Sequence, residues 1–537
     1  MKMFPKAAVL LVSSALLASA CGKAENGASP SPSSANGNAS PSPAAAEKKE
    51  KLELKWMVQA PNGVSLPSAD KDFVKKAIDE KFNVDLKIEF MQDGQDYRNK
   101  LNMKISSGDI PDMFIASGTD SLKYAQDKVL IDISGVVTPQ TMPNYFKYWI
   151  AEDVLKRYQV LDMNVRAPKP FAKKQYYSYY VRKDWLDKLG LKMPETYDDM
   201  ITVMKAFVEK DPDGNGKNDT YGMTAGGNGA NVVRDFPEFF KNGIIAGFYL
   251  DNGQFIDSGT DIRMGQALDD LKKSMDMKLY DPNWFLNKGD QVENAIVQGK
   301  VGIFLGTTRE AALDNYAVSY QKKTKDVTGD QKADWQPFHP WANSGVFTEP
   351  LPGYPFLFSV KTPEAKVKRS TEILDWLSGE EGFLLTHYGL EGVHYKKSGN
   401  KIELIPDAIK KDIADNGNFL DIYGFFTPAE PQSLGLEVVD PRETDRDRAI
   451  LAKISSYKYL PSIGTSVSVK EGMDLASVRK QMNLYQSKIL FEEKDASSWP
   501  KYREELMNKY GGKQIFEYYA EQITKAHGKT FTFKADN

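Results

Sequence analysis

The chain has 537 residues, 41% of them hydrophobic, and its 70 Lys and Arg fall short of its 73 Asp and Glu. That mildly acidic balance excludes a nucleic-acid binder held on phosphates by surplus basic charge. The aromatic supply can fill the core of two or three domains or two large lobes, while one cysteine excludes a disulfide framework and any zinc site built on paired thiolates.

Lys2 and Lys6 precede an apolar run over 7–20 that is too short to span a bilayer and reads as a secretory signal. The run ends in Leu17-Ala18-Ser19-Ala20-Cys21-Gly22. This resembles a bacterial lipobox, in which the cysteine thiol takes a diacylglycerol; Ala18 stands where leucine is most usual. Residues 21–50 then form the lipidated cysteine and a tether rich in Ser, Pro, Ala, Gly and Asn, a composition that buries nothing and stays extended. The layout is signal, anchor, tether and globule, with the globule on the extracellular face of the cell membrane.

The globule opens with Leu52, Leu54, Trp56 and Val58 alternating as a strand, then Phe73, Val74, Ala77, Ile78 and Phe82 at helical spacing. Val84, Leu86, Ile88 and Phe90 alternate again, Tyr97, Leu101 and Ile105 step by four, and 113–116 makes a short third strand. A β-α-β-α-β unit predicts a parallel sheet with right-handed crossovers and a ligand beyond its carboxyl ends. The loops 59–63 and 117–120 are therefore candidate cleft loops. Farther on, the pattern predicts helices over 184–189 and 197–209, the second capped by Thr196, and a buried strand over 301–305. Helices follow from Pro363, from about 380 to Gly389, over 499–509 and over 514–526, and no internal repeat is visible.

The sharpest local signal is Asp211-Pro212-Asp213-Gly214-Asn215-Gly216-Lys217-Asn218-Asp219. An EF-hand-type loop supplies oxygens from positions 1, 3, 5, 7 and 9 with glycine at 6. Asp211, Asp213, Asn215, the carbonyl of Lys217 and Asp219 fill those places around Gly216. The bidentate glutamate of position 12 is replaced by Gly222, and the hydroxyl of Thr220 or a water is left to complete the shell. The expected cofactor is a structural Ca2+; the bland alternative is a polar turn that never holds metal.

Four segments then follow in a telling order: 107–112 (Ser-Gly-Asp-Ile-Pro-Asp), 130–133 (Leu-Ile-Asp-Ile), 180–190 with Pro194, Thr196 and Tyr197, and 388–395, where Leu390 interrupts a Gly-Glu-Gly-x-x-Tyr pattern. Their order and spacing resemble the family 1 extracellular solute-binding lipoproteins of bacterial ABC importers, in the oligosaccharide-binding branch found with Paenibacillus- and Bacillus-type importers. The resemblance implies an α/β fold of the two-lobed, periplasmic-binding-protein-like type II kind, with an interlobe cleft and strand hinges. It implies a first lobe of 52–165 plus 355–435 and a second of 166–354 plus 436–537. The implied function is capture of an oligosaccharide by lobe closure, without catalysis, and delivery by a monomer to the permease subunits of an ABC transporter.

Sugars are held by aromatic faces and by charged or amide hydrogen-bonders. Candidate ligand residues are Tyr177, Tyr180, Arg182 and Trp185 at the interlobe crossing, Gly306 and Thr307 beyond the strand, Trp341 as a stacking platform, and Glu391 and Tyr395 in the glycine-rich segment. Arg182 has a plainer reading as half of an ion pair, and any single aromatic is more often core. A uronate-bearing sugar would want a cation, for which Arg166 and Arg182 are the candidates. No Gly-x-Ser-x-Gly elbow, His-Glu-x-x-His or phosphate loop is present, and the four histidines have no metal spacing. The rival function is a surface-anchored polysaccharide lyase or glycoside hydrolase with a structural calcium.

Overall fold

The computed structural model describes residues 50–160, 162–245, 247–351 and 354–534. The signal run, Cys21 and the tether lie outside them.

The alternating segments form the expected strands, β1 (Leu52–Gln59), β2 (Val84–Met91) and β3 (Met113–Ile115), with β1 parallel to both others. Leu54, Trp56 and Val58 are buried on one face in period two, Glu53 and Lys55 turn the other way, and Met57 is buried on the opposite face. The helix Phe73–Phe82 crosses between β1 and β2. Asp72 caps it by accepting from the Lys75 amide at 2.9 Å, and Asn83 ends it in the left-handed conformation at φ 49°. The chain adds β4 (Ala167–Pro168) and then leaves for a second sheet.

That sheet contains β5 (Ser178–Arg182), β6 (Tyr221–Met223), β7 (Val301–Gly306) and β8 (Trp335–Phe338), in the order β8-β5-β7-β6. Strand β5 runs antiparallel to both its neighbours, and β6 and β7 are parallel. The chain returns to the first sheet as β9 (Pro355–Phe358), antiparallel to β3 and β4, which completes the order β2-β1-β3-β9-β4.

Two apolar cores follow the two sheets. One gathers Trp56, Val58, Tyr145, Phe356, Leu374 and Phe426; the other gathers Trp185, Phe207, Phe239, Leu271, Trp499 and Phe516. The helix Tyr197–Glu209, closed by a Thr196–Asp199 capping box, lies directly on β7. A Cβ added at Gly302 would stand 2.1 Å from the Phe207 ring, and one at Gly306 2.6 Å from Tyr180. Both glycines are thus contact points where ring and backbone touch.

The predicted helices are present as Lys183–Leu189, Glu364–Ser378, Glu380–Tyr388, Trp499–Asn508 and Gly512–His527. Two more, Met264–Asp276 and Leu475–Phe491, complete the second core and have no counterpart in the sequence reading. Where the chain passes between sheets it is laced to itself. The amide of Val346 donates to the Lys458 carbonyl at 2.9 Å and that of Glu349 to Leu460 at 2.7 Å. The Tyr459 hydroxyl accepts from the Tyr177 amide and donates to the Gln175 carbonyl. The Glu430 carboxylate accepts from the amides of Lys173 and Lys174, both at 2.9 Å.

Candidate functional site

In both sheets the carboxyl ends of the parallel strands point toward the crossings. On the first sheet this edge is polar. Gln59, the last residue of β1, donates from Nε2 to Asp93 at 2.9 Å, and the Tyr354 phenol faces the same carboxylate. Lys169, just past β4, donates to the Phe425 carbonyl at 2.8 Å and stands 6.0 Å over that ring; burial, only partly offset by the Asp93 charge, lowers its ammonium to about 8.

On the second sheet the corresponding edge is aromatic. Tyr177, leading into β5, stacks on Phe347 with centroids 4.6 Å apart and planes 15° apart. Trp341, just past β8, stacks on Phe240 at 5.5 Å and 28°; Phe240 is buried beneath it and Trp341 itself is half-buried. His339 fills the space between Tyr179 and Phe240. Its Nδ1 accepts from the Trp341 amide, its Nε2 has no partner among the described residues, and burial drops it to about 3, so the ring is neutral. Asp235 joins this wall: its carbonyl accepts from the Tyr179 hydroxyl at 2.6 Å, and burial alone raises its carboxyl to about 6.

The segment 169–177 divides the space between the edges. Phe171 faces a cavity of about 550 Å³ with Leu250, Pro350 and Pro461, whereas Lys174 and Tyr176 face one of about 930 Å³ with Arg309, Tyr388 and Pro428.

The candidate ligand residues from the sequence do not converge. Tyr177, Thr307 and Trp341 lie at the carboxyl edge. Gly306 is there too, but its place is taken up by contact with Tyr180. Tyr180 is fully buried, stacked on Phe304 at 5.0 Å, and its hydroxyl has no partner among the described residues. Arg182 is at the opposite end of β5, 2% exposed, where Nε and Nη2 clasp Asp184 at 2.8 and 2.5 Å and Nη2 reaches Asp330 at 3.1 Å. Its guanidinium also covers Trp185 at 4.6 Å, and Trp185 is core against Phe207. Arg182 is therefore a structural ion pair, the plainer of the two readings. Arg166 is likewise spent, donating to the carbonyls of Tyr158 and Gly118 and to the Ser121 hydroxyl. Tyr395 is core under a small separate sheet with 401–404, and Glu391 is exposed in the turn before it, apart from the aromatic wall.

The loop 211–219 lies at the amino edge of the second sheet, ahead of β6. It is wound onto Asp211, whose Oδ1 accepts from the amides of Gly214 and Asn215, both at 3.1 Å, and whose Oδ2 accepts from Gly216 at 2.9 Å. The Asn215 amide nitrogen bridges Asp213 at 2.7 Å and Asp219 at 2.9 Å, and Lys300 pairs with Asp219 at 2.6 Å. Burial and its acidic neighbours raise the Asp213 carboxyl. Among the described residues, no three His, Cys, Asp or Glu side chains stand close enough to form a metal cluster, because Asn215 separates the carboxylates. Thr220 corrects one expectation. Its hydroxyl donates to the Phe207 carbonyl at 2.6 Å, buried, and is not available to the loop.

Sequence reasoning missed Asp235, Arg234, Phe240 and Phe347. Only the helix-opening Phe236-Pro237 beside the first two could have drawn attention to them.

Comparison with known proteins places these features. A family model described as bacterial extracellular solute-binding protein matches residues 61–382, more than half of the chain. Lipoprotein LipO of Bacillus subtilis is 28% identical over 353 residues, 61% of this chain and 65% of LipO, so the match spans a little under two thirds of that relative. The polygalacturonan/rhamnogalacturonan-binding protein YtcQ of the same organism is 28% identical over 65% of this chain and 68% of its own. Among solved structures, an extracellular solute-binding protein from Bifidobacterium longum subsp. infantis superposes with a TM-score of 0.67 at 15% identity, covering 89% of this chain and 99% of that one. The alginate-binding protein AlgQ2, solved without calcium ion, gives 0.64 at 18% identity, covering 89% and 98%. The fold is the two-lobed α/β fold of these binding proteins.

Proposed function

The chain belongs to the bacterial extracellular solute-binding proteins, and from that membership we propose that it captures an oligosaccharide between its two lobes and delivers it to an ABC importer. The observation that carries this reading is the pairing of edges. A polar edge at Gln59, Asp93 and Lys169 belongs to one sheet, and an aromatic edge at Tyr177, Trp341 and Phe347 belongs to the other. A sugar needs both kinds of surface at once, hydroxyl partners and a flat apolar face. Closure about the crossings would bring them onto one ligand. The lobes are taken near 52–165 plus 355–435 and 166–354 plus 436–537, each boundary moved a few residues on because 167–168 pair in the first sheet and 437–439 pair with 401–403; Tyr177, Thr307 and Trp341 are taken as the sugar-facing candidates that remain from the sequence, and Cys21 as the lipid anchor. The relatives support the cargo class. YtcQ is named for binding polygalacturonan and rhamnogalacturonan, and FusA of Streptococcus pneumoniae is a fructooligosaccharide ABC transporter substrate-binding protein. Binding without turnover fits the family better than the lyase or hydrolase alternative.

We further propose that the loop 211–219 holds a structural calcium. The donor set fits: Asp211, Asp213, Asp219, the Asn215 side-chain oxygen and the Lys217 carbonyl are hard oxygens on a loop already wound by backbone amides. A bound cation would require Asn215 to turn its oxygen inward in place of its amide. A relative supports the reading, since FusA has been solved as an EF-hand mutant.

The test is a thermal-shift screen against plant and algal oligosaccharides, with each sugar weighed afterward by mass spectrometry. A ligand that binds only the folded state raises the melting temperature by mass action. A rise with the sugar intact is expected; a cleaved or unsaturated sugar would hand the case to the enzyme. Chelator should lower the melting temperature and calcium restore it, and indifference to both would remove the metal site.

A further inference from the structure

One basic side chain at the second-lobe edge is left over. Arg234 follows β6 in the loop that leads to Phe236-Pro237, half-buried beside Tyr177. Its guanidinium lies with that of Arg479 around Gly259, where an added Cβ would be 3.2 Å from Arg234 Nη2 and 3.0 Å from Arg479 Nη1. The acid facing both is Asp257, whose side chain is fully buried. Arg479 takes it in a fork, Nη1 to Oδ2 and Nη2 to Oδ1, both at 2.8 Å, and the Thr260 hydroxyl donates to Oδ2 at 2.6 Å. Arg479 is held further by the rings of Phe248 and Phe516, each 5.4 Å away.

Two guanidiniums therefore share one carboxylate, and one of the two has all the hydrogen bonds. Among the described residues Arg234 makes no hydrogen bond or ion pair. Asp235, its neighbour in sequence, does not compensate it, because burial alone sets that carboxyl and no cation is near enough to hold it charged. A cation drawn partly out of water with no partner of its own is stabilised by any anion that pairs it. Burial accordingly lowers the Arg234 guanidinium below its ordinary range, the opposite of what a satisfied ion pair does. Such a site is built for an anion that arrives from outside.

We propose that Arg234 receives a carboxylate of the cargo at the aromatic edge, so that the sugar carried is an acidic, uronate-bearing oligosaccharide. This rests on the oligosaccharide-binding reading and narrows it. The planar fork of arginine matches a carboxylate with two parallel hydrogen bonds, and the Tyr177 ring beside it offers an apolar face to the sugar that carries the acid.

The experiment is calorimetric titration of wild-type protein, Arg234→Gln and Arg234→Lys with a trigalacturonate, a trimannuronate and the carboxyl-reduced, neutral form of each. The wild type should bind an acidic trimer and discriminate against its reduced form. Arg234→Gln should weaken the acidic trimer by roughly tenfold or more and leave any neutral binding as it was; Arg234→Lys should keep part of the affinity, with steeper loss in salt. Because Arg234 gives up no partner on mutation, unliganded Arg234→Gln should melt at or above the wild-type temperature. A substantial drop there would make Arg234 a structural partner of Asp257 and overturn the proposal. Equal binding of acidic and reduced trimers by the wild type would overturn it too, as would unchanged acidic binding by Arg234→Gln or wild-type binding confined to neutral sugars; in these cases the sugar-binding function stands. Failure of the wild type with every sugar, acidic or neutral, would overturn the function itself.

Discussion

The two ends of β5 differ more than their sequence suggests. Tyr177 and Trp185 are eight positions apart and read as one aromatic cluster with an arginine inside it. A strand advances about 3.3 Å per residue, so five strand residues carry the chain on the order of 16 Å. The near end opens on the crossings, with Tyr177 stacked on Phe347. The far end closes over Arg182, Asp184, Asp330 and Trp185, beside the loop 211–219. One end is a surface with aromatic faces to offer, and the other is a knot of paired charge bordering a separate cavity of about 880 Å³. Residues grouped in sequence thus divide in space by the length of the element that bears them.

Mutations at the two ends should separate binding from stability. Trp185→Ala, at the far end, removes a core ring and should cost about 3–5 kcal/mol in urea unfolding, while the folded fraction binds sugar as before. A loss of affinity larger than the loss of stability would move Trp185 back to the ligand. Asp235→Asn, at the near end, should act in the opposite sense. A carboxyl raised to about 6 from 3.8 contributes stability below about pH 4 that is lost as pH rises through 6. At pH 7 the amide should therefore be more stable by about 2 kcal/mol, with a flatter stability profile between pH 4 and 6. A variant less stable than the wild type at pH 7 would break the assignment. Trp341→Ala should weaken sugar binding by about 1 kcal/mol through lost stacking, read by titration, with its melting temperature lowered only slightly. The smallest effect belongs to Thr220→Val. It gives up one buried hydrogen bond to Phe207, worth about 0.5–1 kcal/mol, and should leave the response to calcium and chelator unchanged, since its hydroxyl is turned away from the loop.

Much of the first lobe was legible because its signals are local. Period-two alternation over 52–58 and 84–90 and helical spacing from Phe73 each depend on a few adjacent residues, and the structure has β1, β2 and the helix where they fall. The helix Leu475–Phe491 was not read, although Val478, Met482 and Ile489 are all buried; polar residues between them dilute the stripe until it is packed against Phe255 and Trp499. The binding edge was legible only in part. Tyr177 and Trp341 carry their own aromatic signal, but Phe240, Phe347 and Asp235 come to the same wall from separate segments. Arg234 was illegible for a stronger reason. What distinguishes it from Arg166 and Arg182 is the absence of a partner, and partners are a property of the fold.

The glycines of β7 bear on how such a protein diversifies. Gly302 is pressed against Phe207 and Gly306 against Tyr180, so any side chain at either position collides with a ring that is itself buried. A lineage that drifts toward a new cargo cannot do so within this strand, because every intermediate would have to rebuild the core first. Thr307 and Thr308, immediately beyond it and exposed, carry no such debt. The boundary between what selection can vary and what it must keep runs through one peptide bond, between Gly306 and Thr307.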